Sequence, residues 1–504
     1  MNSKFAKNSI FNFLGAATPA IANLFSVPVL VKSLGEANYG LLTLVLALIG
    51  YFSLLDINVT QGSTRFIAEY DSLNQPKKTN EVISFGLLIY LIIGVVGMIA
   101  IYTTAPLLVI HVFDIPTDSR TIAQDTLKIA AIAFFFTQLQ SYLVSIPQAM
   151  QRWKLSAGVE AFFGSVAPLI SMMVALYTYN IKDVVAARLI LSILNVAILI
   201  IIIIKIRPDF SLSKTSKSIR SRILMFSAFS YLSTIASVTH AYADRMILGM
   251  LLGLSEITLY SIPTSLVNRL FGMTFRLGSI IYPATSELAA QGNQEKIKHI
   301  YLLASRYLTA INSFLALLII IYGQDILKLW IGAEFVEKGY PIMVITTLAM
   351  LIETLTNLPS LVNNAIAHPK TTGYFTLLRA ILGIAALIAG TYQYGIVGTA
   401  LGHLIASSFL VIIFIIYIHG RIIPTTLTEL IFKAYLPVIT IITITSGIAW
   451  LTKPTYPASI EYLAIHGLVI SSIYCLMALL IVLTPEHKTL LLKKLHLYPI
   501  GSSK

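Results

Sequence analysis

At 504 residues, the chain is 57% hydrophobic and only 11% charged, with a net charge of +13. A soluble domain carries roughly 25% charged residues, so the composition excludes a water-compatible surface over most of the molecule. The basic residues are spread between apolar runs rather than gathered in one stripe, which argues against a nucleic-acid partner. The lone cysteine, Cys475, excludes an intrachain disulfide and a cysteine-based metal centre.

Apolar runs of membrane-crossing length predict an all-α integral membrane protein of about fourteen helices. The first six spans are read at 8–31, 41–68, 81–110, 121–146, 155–179 and 183–206. The next six are 222–251, 255–286, 298–322, 340–366, 371–392 and 395–418, and a final pair covers 428–452 and 459–485. Lys4 and Lys7 precede Ala20-Ile21-Ala22, a pattern shared with signal-peptide cleavage sites. The apolar run continues to Val31, which suits a retained span better. The outer segment 323–339 reads as a short interfacial helix anchored by Trp330.

Lysine and arginine set the sidedness. One set of alternate loops holds Lys77, Lys78, Arg152, Lys154, the cluster from Lys205 to Arg222, Lys296, Lys298, Lys370, Arg421 and Lys488. The opposite set has little beyond Lys32, Arg120, Lys182, Lys328, Lys338 and Lys453. The positive-inside rule then puts both termini in the cytoplasm, and an even helix number agrees.

Two halves of the sequence resemble each other. Ala149 and Lys154 align with Ala365 and Lys370 at a shift of 216, and Tyr177-Thr178-Tyr179-Asn180-Ile181 aligns with Tyr392-Gln393-Tyr394-Gly395-Ile396 at 215. Leu34-Gly35 aligns with Leu252-Gly253 at 218. The expected organisation is a six-helix lobe over 1–207, a basic cytoplasmic linker over 208–221, a second six-helix lobe over 222–419, and two extra helices with a tail over 420–504. Paired repeats in a membrane protein point to a pathway between them and hence to transport.

Enzyme chemistry is not expected. The chain lacks a Gly-x-x-x-x-Gly-Lys-Ser/Thr phosphate loop and a His-Glu-x-x-His zinc motif, and no outer loop is long enough for a catalytic domain. No cofactor is implied.

Ionisable residues at membrane depth cost a few kcal/mol and normally face protein or water. Arg269 lies near the middle of its span, and Arg276 lies two turns further on. Arg379, Arg65 and Arg245 complete the arginines proposed to line a cationic cavity that holds an anionic head group. A guanidinium keeps its charge and binds phosphate oxygens in pairs. Arg65, Arg276 and Arg379 can equally snorkel to the interface, and Arg245 can pair with a neighbouring helix. Asp56, Asp244 and Glu353 are candidates for a coupling ion or for ion pairs. Gln61 and Arg65 share a helical face, while Lys128, Glu160, Arg188 and His403 read as structural, the last two at matching repeat positions.

The run Val27-Pro28-Val29 to Lys32-Ser33-Leu34-Gly35-Glu36-Ala37-Asn38-Tyr39-Gly40, with Tyr51 to Asp56 and Arg65-Phe66-Ile67-Ala68, resembles the start of polysaccharide flippases. Asp244-Arg245-Met246-Ile247-Leu248-Gly249, Tyr260-Ser261-Ile262-Pro263 and Pro283-Ala284-Thr285-Ser286-Glu287 resemble their seventh and eighth helices. Asn58 departs from the pattern, which has a small residue there. These proteins are the O-antigen and capsule-unit flippases of the multidrug/oligosaccharidyl-lipid/polysaccharide (MOP) superfamily. The resemblance implies a V-shaped pair of lobes in a bacterial inner membrane. It also implies outward flipping of an undecaprenyl-pyrophosphate-linked oligosaccharide by alternating access, with membrane lipids and a polymerase or chain-length complex as partners. Outward movement of an anion from a negative interior is downhill by about 2.3 kcal/mol per charge per 100 mV. Proton or cation coupling follows by analogy alone. A lipid II flippase, a multidrug/cation antiporter and a membrane-embedded glycan polymerase or ligase remain as alternatives.

Overall fold

The computed structural model describes the backbone of residues 3–113, 115–278, 281–453 and 459–494, and their side chains except at 3–17, 229–230, 232–233, 276–277, 283 and 490–494. All regular structure among the described residues is helical. The helices are α1 (Ser3–Leu34), α2 (Glu36–Phe52), α3 (Val59–Ser72), α4 (Pro76–Leu107), α5 (Thr117–Ala149), α6 (Trp153–Thr178), α7 (Ile181–Ile206) and α8 (Lys217–Leu251). They continue as α9 (Leu254–Gly278), α10 (Ile281–Ala290), α11 (Gln294–Trp330), α12 (Val336–Ala365) and α13 (Pro369–Arg421). The last three are α14 (Leu427–Thr452), α15 (Ile460–Val482) and α16 (Pro485–Lys494).

Ten helices among the described residues are long and apolar enough to cross a membrane. One of them, α13, is two helices that meet at Tyr394 and Gly395, whose backbone angles are not helical. Counting it twice, and adding α1, α8 and the α9–α10 segment, gives the fourteen crossings read from sequence. Hydroxyl, amide and charged side chains recur along α8 from Thr234 to Arg245 and along α9 from Ser255 to Thr274.

Helix starts are written in capping chemistry. Asn180, Ser216 and Asn293 accept hydrogen bonds from the backbone N–H of Lys182, Ile219 and Lys296. Thr426 and Glu429 form a reciprocal capping box at α14.

The ends of helices recur at the repeat offset. Gly35 (φ 78) and Gly253 (φ 100) lead into α2 and α9. Asn74 (φ 52) and Gly292 (φ 69) precede α4 and α11, and Gln151 (φ 57) and Ala367 (φ 66) follow α5 and α12. Left-handed backbone costs a non-glycine residue about 1 kcal/mol or more, so its recurrence at shifts near 217 shows that both halves need the same chain reversals.

Two differences from the sequence reading concern continuity. The span read over 41–68 is broken: α2 ends at Phe52, a tight turn covers Ser53–Leu55, and α3 begins at Val59. The segment 323–339 is not a separate interfacial helix, because α11 runs on to Trp330 and α12 starts at Val336. No glycine or proline stands between Gly323 and Gly332 to end the helix sooner.

By packing, the chain divides into two compact units, one of residues 1–262 with 376–402 and one of 263–375 with 403–504. This partition rests on contacts, whereas the 1–207 and 222–419 division rests on the repeat. In the first unit α1 packs on α6, α4 on α5, α5 on α7, and α3 on α4 and α8. Its core joins Phe66, Ile83, Tyr90, Tyr142, Leu199 and Ile223. Tyr90 and Tyr142 stack at 5.0 Å, and Gly86 leaves room for the Tyr142 ring. The connector between α7 and α8 is hydrogen-bonded along α4: Asn80 donates to the Asp209 carbonyl (3.1 Å), Ser213 N–H to Ser84 (3.1 Å) and Ser216 N–H to the Glu81 carboxylate (2.8 Å).

In the second unit α11 packs on α12 and on the C-terminal pair α14–α15. Tyr474 of α15 donates to the Ala310 carbonyl (2.8 Å), and Tyr322 hydrogen-bonds with His466 (2.7 Å). The next residue, Cys475, is exposed.

Candidate functional site

The break in the second span is the first functional feature of the 1–262 unit. At bilayer depth, irregular backbone persists only where its freed polar groups are satisfied. Asn58 takes the left-handed conformation (φ 59), and its N–H donates to Asp56 Oδ1 at 2.8 Å. That is an Asx turn. The Leu54 carbonyl, which the break releases, accepts from the Tyr231 hydroxyl at 2.6 Å, and the Asn58 amide donates to Thr234 at 3.1 Å. Asp56 Oδ2 accepts from the Tyr90 hydroxyl at 2.5 Å, and Tyr90 is also hydrogen-bonded to Thr60. Asp56 is therefore tied to α3 and α4. Asn58, the departure from the family pattern, supplies the left-handed corner.

The arginines differ in setting. Arg65 is exposed on α3 beside exposed Gln61, with its guanidinium 4.8 Å from the Phe226 ring centroid. Arg245 is engaged locally: it lies 3.4 Å from Asp244 and donates to the Ala241 carbonyl at 2.9 Å. Its charge is compensated by its own neighbour, which weakens it as an anion-binding candidate. Arg379 is half-buried and belongs to the same unit. Arg269 is exposed on α9 in the other unit. Arg276 also lies on α9, but its side chain falls outside the described residues.

In the second unit, Glu353 of α12 is 8% exposed. Its Oε1 lies 3.0 Å from His403 Nε2 and accepts from the Ser407 hydroxyl at 2.5 Å. The sequence marked Glu353 and His403 separately; the structure joins them across fifty residues of chain. Ser407, four residues after His403 and thus on its helical face, was the available signal. Arg188, which matches His403 in the repeat, donates to Ser171 at 2.8 Å. Lys128 sits over the Tyr102 ring at 5.8 Å, and Glu160 accepts from Gln148 at 3.5 Å.

A model of the family described as "Polysaccharide biosynthesis protein" matches residues 5–289, more than half the chain. The chain belongs to this family. It is 23% identical to the "Putative O-antigen transporter" of Shigella flexneri over 407 residues, covering 78% of this chain and 93% of that protein. The fold is similar to that of the lipid II flippase MurJ in an inward closed conformation, with a TM-score of 0.72, 16% identity, and 97% and 100% of the two chains covered. It is also similar to an inward-facing MATE family multidrug transporter of the MOP superfamily, with a TM-score of 0.65, 15% identity, and coverage of 81% and 98%. The family member thus has the MOP transporter fold and is a multi-pass membrane protein, and its relatives are transporters rather than enzymes.

Proposed function

We propose that this protein flips an undecaprenyl-pyrophosphate-linked oligosaccharide repeat unit, of O-antigen or another surface polysaccharide, from the cytoplasmic to the outer leaflet of a bacterial inner membrane. The observation that carries this reading is the match to the polysaccharide biosynthesis family over residues 5–289, in a chain whose apolar spans contain arginines. Arg269 is the central one, exposed on α9. A pyrophosphate needs permanent, forked donors, while the sugar needs a wet path and the polyprenyl tail stays in lipid. Arg65, Arg276 and Arg379 are the further candidates for the cationic path, and Arg245 is held by Asp244. Alternating access moves the head group, and the loop lysines hold both termini in the cytoplasm. Asp56 and Glu353 are the carboxylates available for coupling to a proton or cation, and a polymerase or chain-length complex receives the product.

Arg269→Glu expressed at the native level should abolish export of the lipid-linked unit, and Arg269→Lys should retain part of it. The assay is surface glycan on a deletion strain complemented with each variant. Normal export by Arg269→Glu overturns the assignment.

A further inference from the structure

The C-terminal helix pair has no counterpart in the repeat, and the function above gives it no task. Where α14 and the end of α15 meet the start of α11, the second unit holds an open cleft of about 1080 Å³, counting its mouth. Three cations line it. Lys298 and Lys433 share one carboxylate, Glu429, at 2.8 and 3.0 Å. Arg306 donates to the Ile481 carbonyl, and its buried Nε has no acceptor among the described residues. Glu295 is the acidic residue of the lining; with Glu429, which pairs with Lys298 and Lys433 beside the cleft, two negative charges stand against three positive ones. The rest of the lining includes Leu302, Leu303 and Phe432, the last 62% exposed at the rim.

We propose that this cleft binds the phosphodiester of an anionic glycerophospholipid. The net charge of one positive matches a single phosphodiester negative charge. Arg306 lines the cleft with a guanidinium, whose fork geometry suits phosphate oxygens. Leu302, Leu303 and Phe432 give an acyl chain an apolar surface next to the head group, as expected at a membrane face. The lipid stabilises the junction of α11 with the C-terminal pair, because it adds a counter-charge where cations outnumber carboxylates.

Native mass spectrometry of the purified full-length protein tests this with phosphatidylglycerol, phosphatidylcholine and inorganic phosphate. Phosphatidylglycerol should bind about tenfold more tightly than phosphatidylcholine. Lys433→Gln, an exposed change that leaves folding intact, should weaken phosphatidylglycerol binding about threefold, and Arg306→Gln should weaken it further. Lys182→Gln, at a cation paired with Asp125 elsewhere in the chain, should leave it unchanged. Equal binding of the two lipids, or unaltered binding by Lys433→Gln, overturns the proposal. So does an equal loss in Lys182→Gln, which would mean general charge attraction. Complete displacement of the lipid by millimolar inorganic phosphate would assign the site to free phosphate instead and overturn the lipid reading.

Discussion

Single buried polar side chains decide much of what this protein tolerates. Glu353 is almost fully covered and satisfies both His403 and Ser407. Removing one partner of a buried hydrogen-bonded set leaves the others with unmet polar groups in a low-dielectric site. Glu353→Ala should therefore destabilise the protein by about 2–4 kcal/mol, and Glu353→Gln, which can still accept and donate, by about 1 kcal/mol. Thermal melting of the purified variants in detergent gives the order, and equal melting temperatures for the two variants would contradict it. The same residue shows what sequence conveys at this scale. A carboxylate and a histidine inside apolar spans are visible as costly exceptions, yet their pairing depends on how α12 and α13 pack. Asp56 is the opposite case. Its Asx turn with Asn58 is local, so the Asp-x-Asn spacing carried the information, although the apolar run around it read as one unbroken span.

At the scale of elements, backbone requirements are what the sequence wrote most plainly. The matched reversals at Gly35 and Gly253, and at Gln151 and Ala367, coincide with the short alignments that revealed the repeat. The turn at Tyr394-Gly395 falls on the Tyr-x-Tyr alignment and folds α13 into a tight pair. A Cβ on Gly390 would lie 2.1 Å from the Gly398 carbonyl oxygen, and one on Gly402 would lie 2.2 Å from that of Ala386. Thr391 and Thr399 hydrogen-bond across the same seam at 2.8 Å. Small residues at such crossings let two backbones touch where lipid offers no hydrophobic force to hold helices together. Gly390→Ala should cost about 3 kcal/mol, because two backbones must part. Gly373→Ala, at a position in the same α13 with nothing within 4 Å, should be neutral or stabilising by about 0.5 kcal/mol. Size-exclusion profiles after heating separate the two, and matching survival would refute the close-approach argument. Missed at this scale was the reach of α11, where the expected outer loop continues as helix to Trp330.

For the whole molecule, hydropathy made the long apolar helices legible, ten of them among the described residues. The fold class followed from composition and period, since an apolar run of about 20 residues has few other uses. The cargo was not legible in the same way: arginines within apolar spans are the sequence's pointer to an anion, and no periodicity encodes contacts to a sugar. A strain lacking this gene should stay viable while losing its surface glycan. A lipid II flippase predicts loss of viability instead, so growth of the deletion strain, checked beside glycan staining, discriminates the two readings.

The solitary thiol at position 475 also has a practical consequence. It is exposed on a long apolar helix, so in a bilayer it faces acyl chains, where a water-borne maleimide has little access to it. The unaltered protein is therefore close to a silent background for accessibility scanning. Cysteines introduced one at a time around Asp56 and Arg269 would report, by their labelling rates alone, which positions water reaches as the carrier cycles.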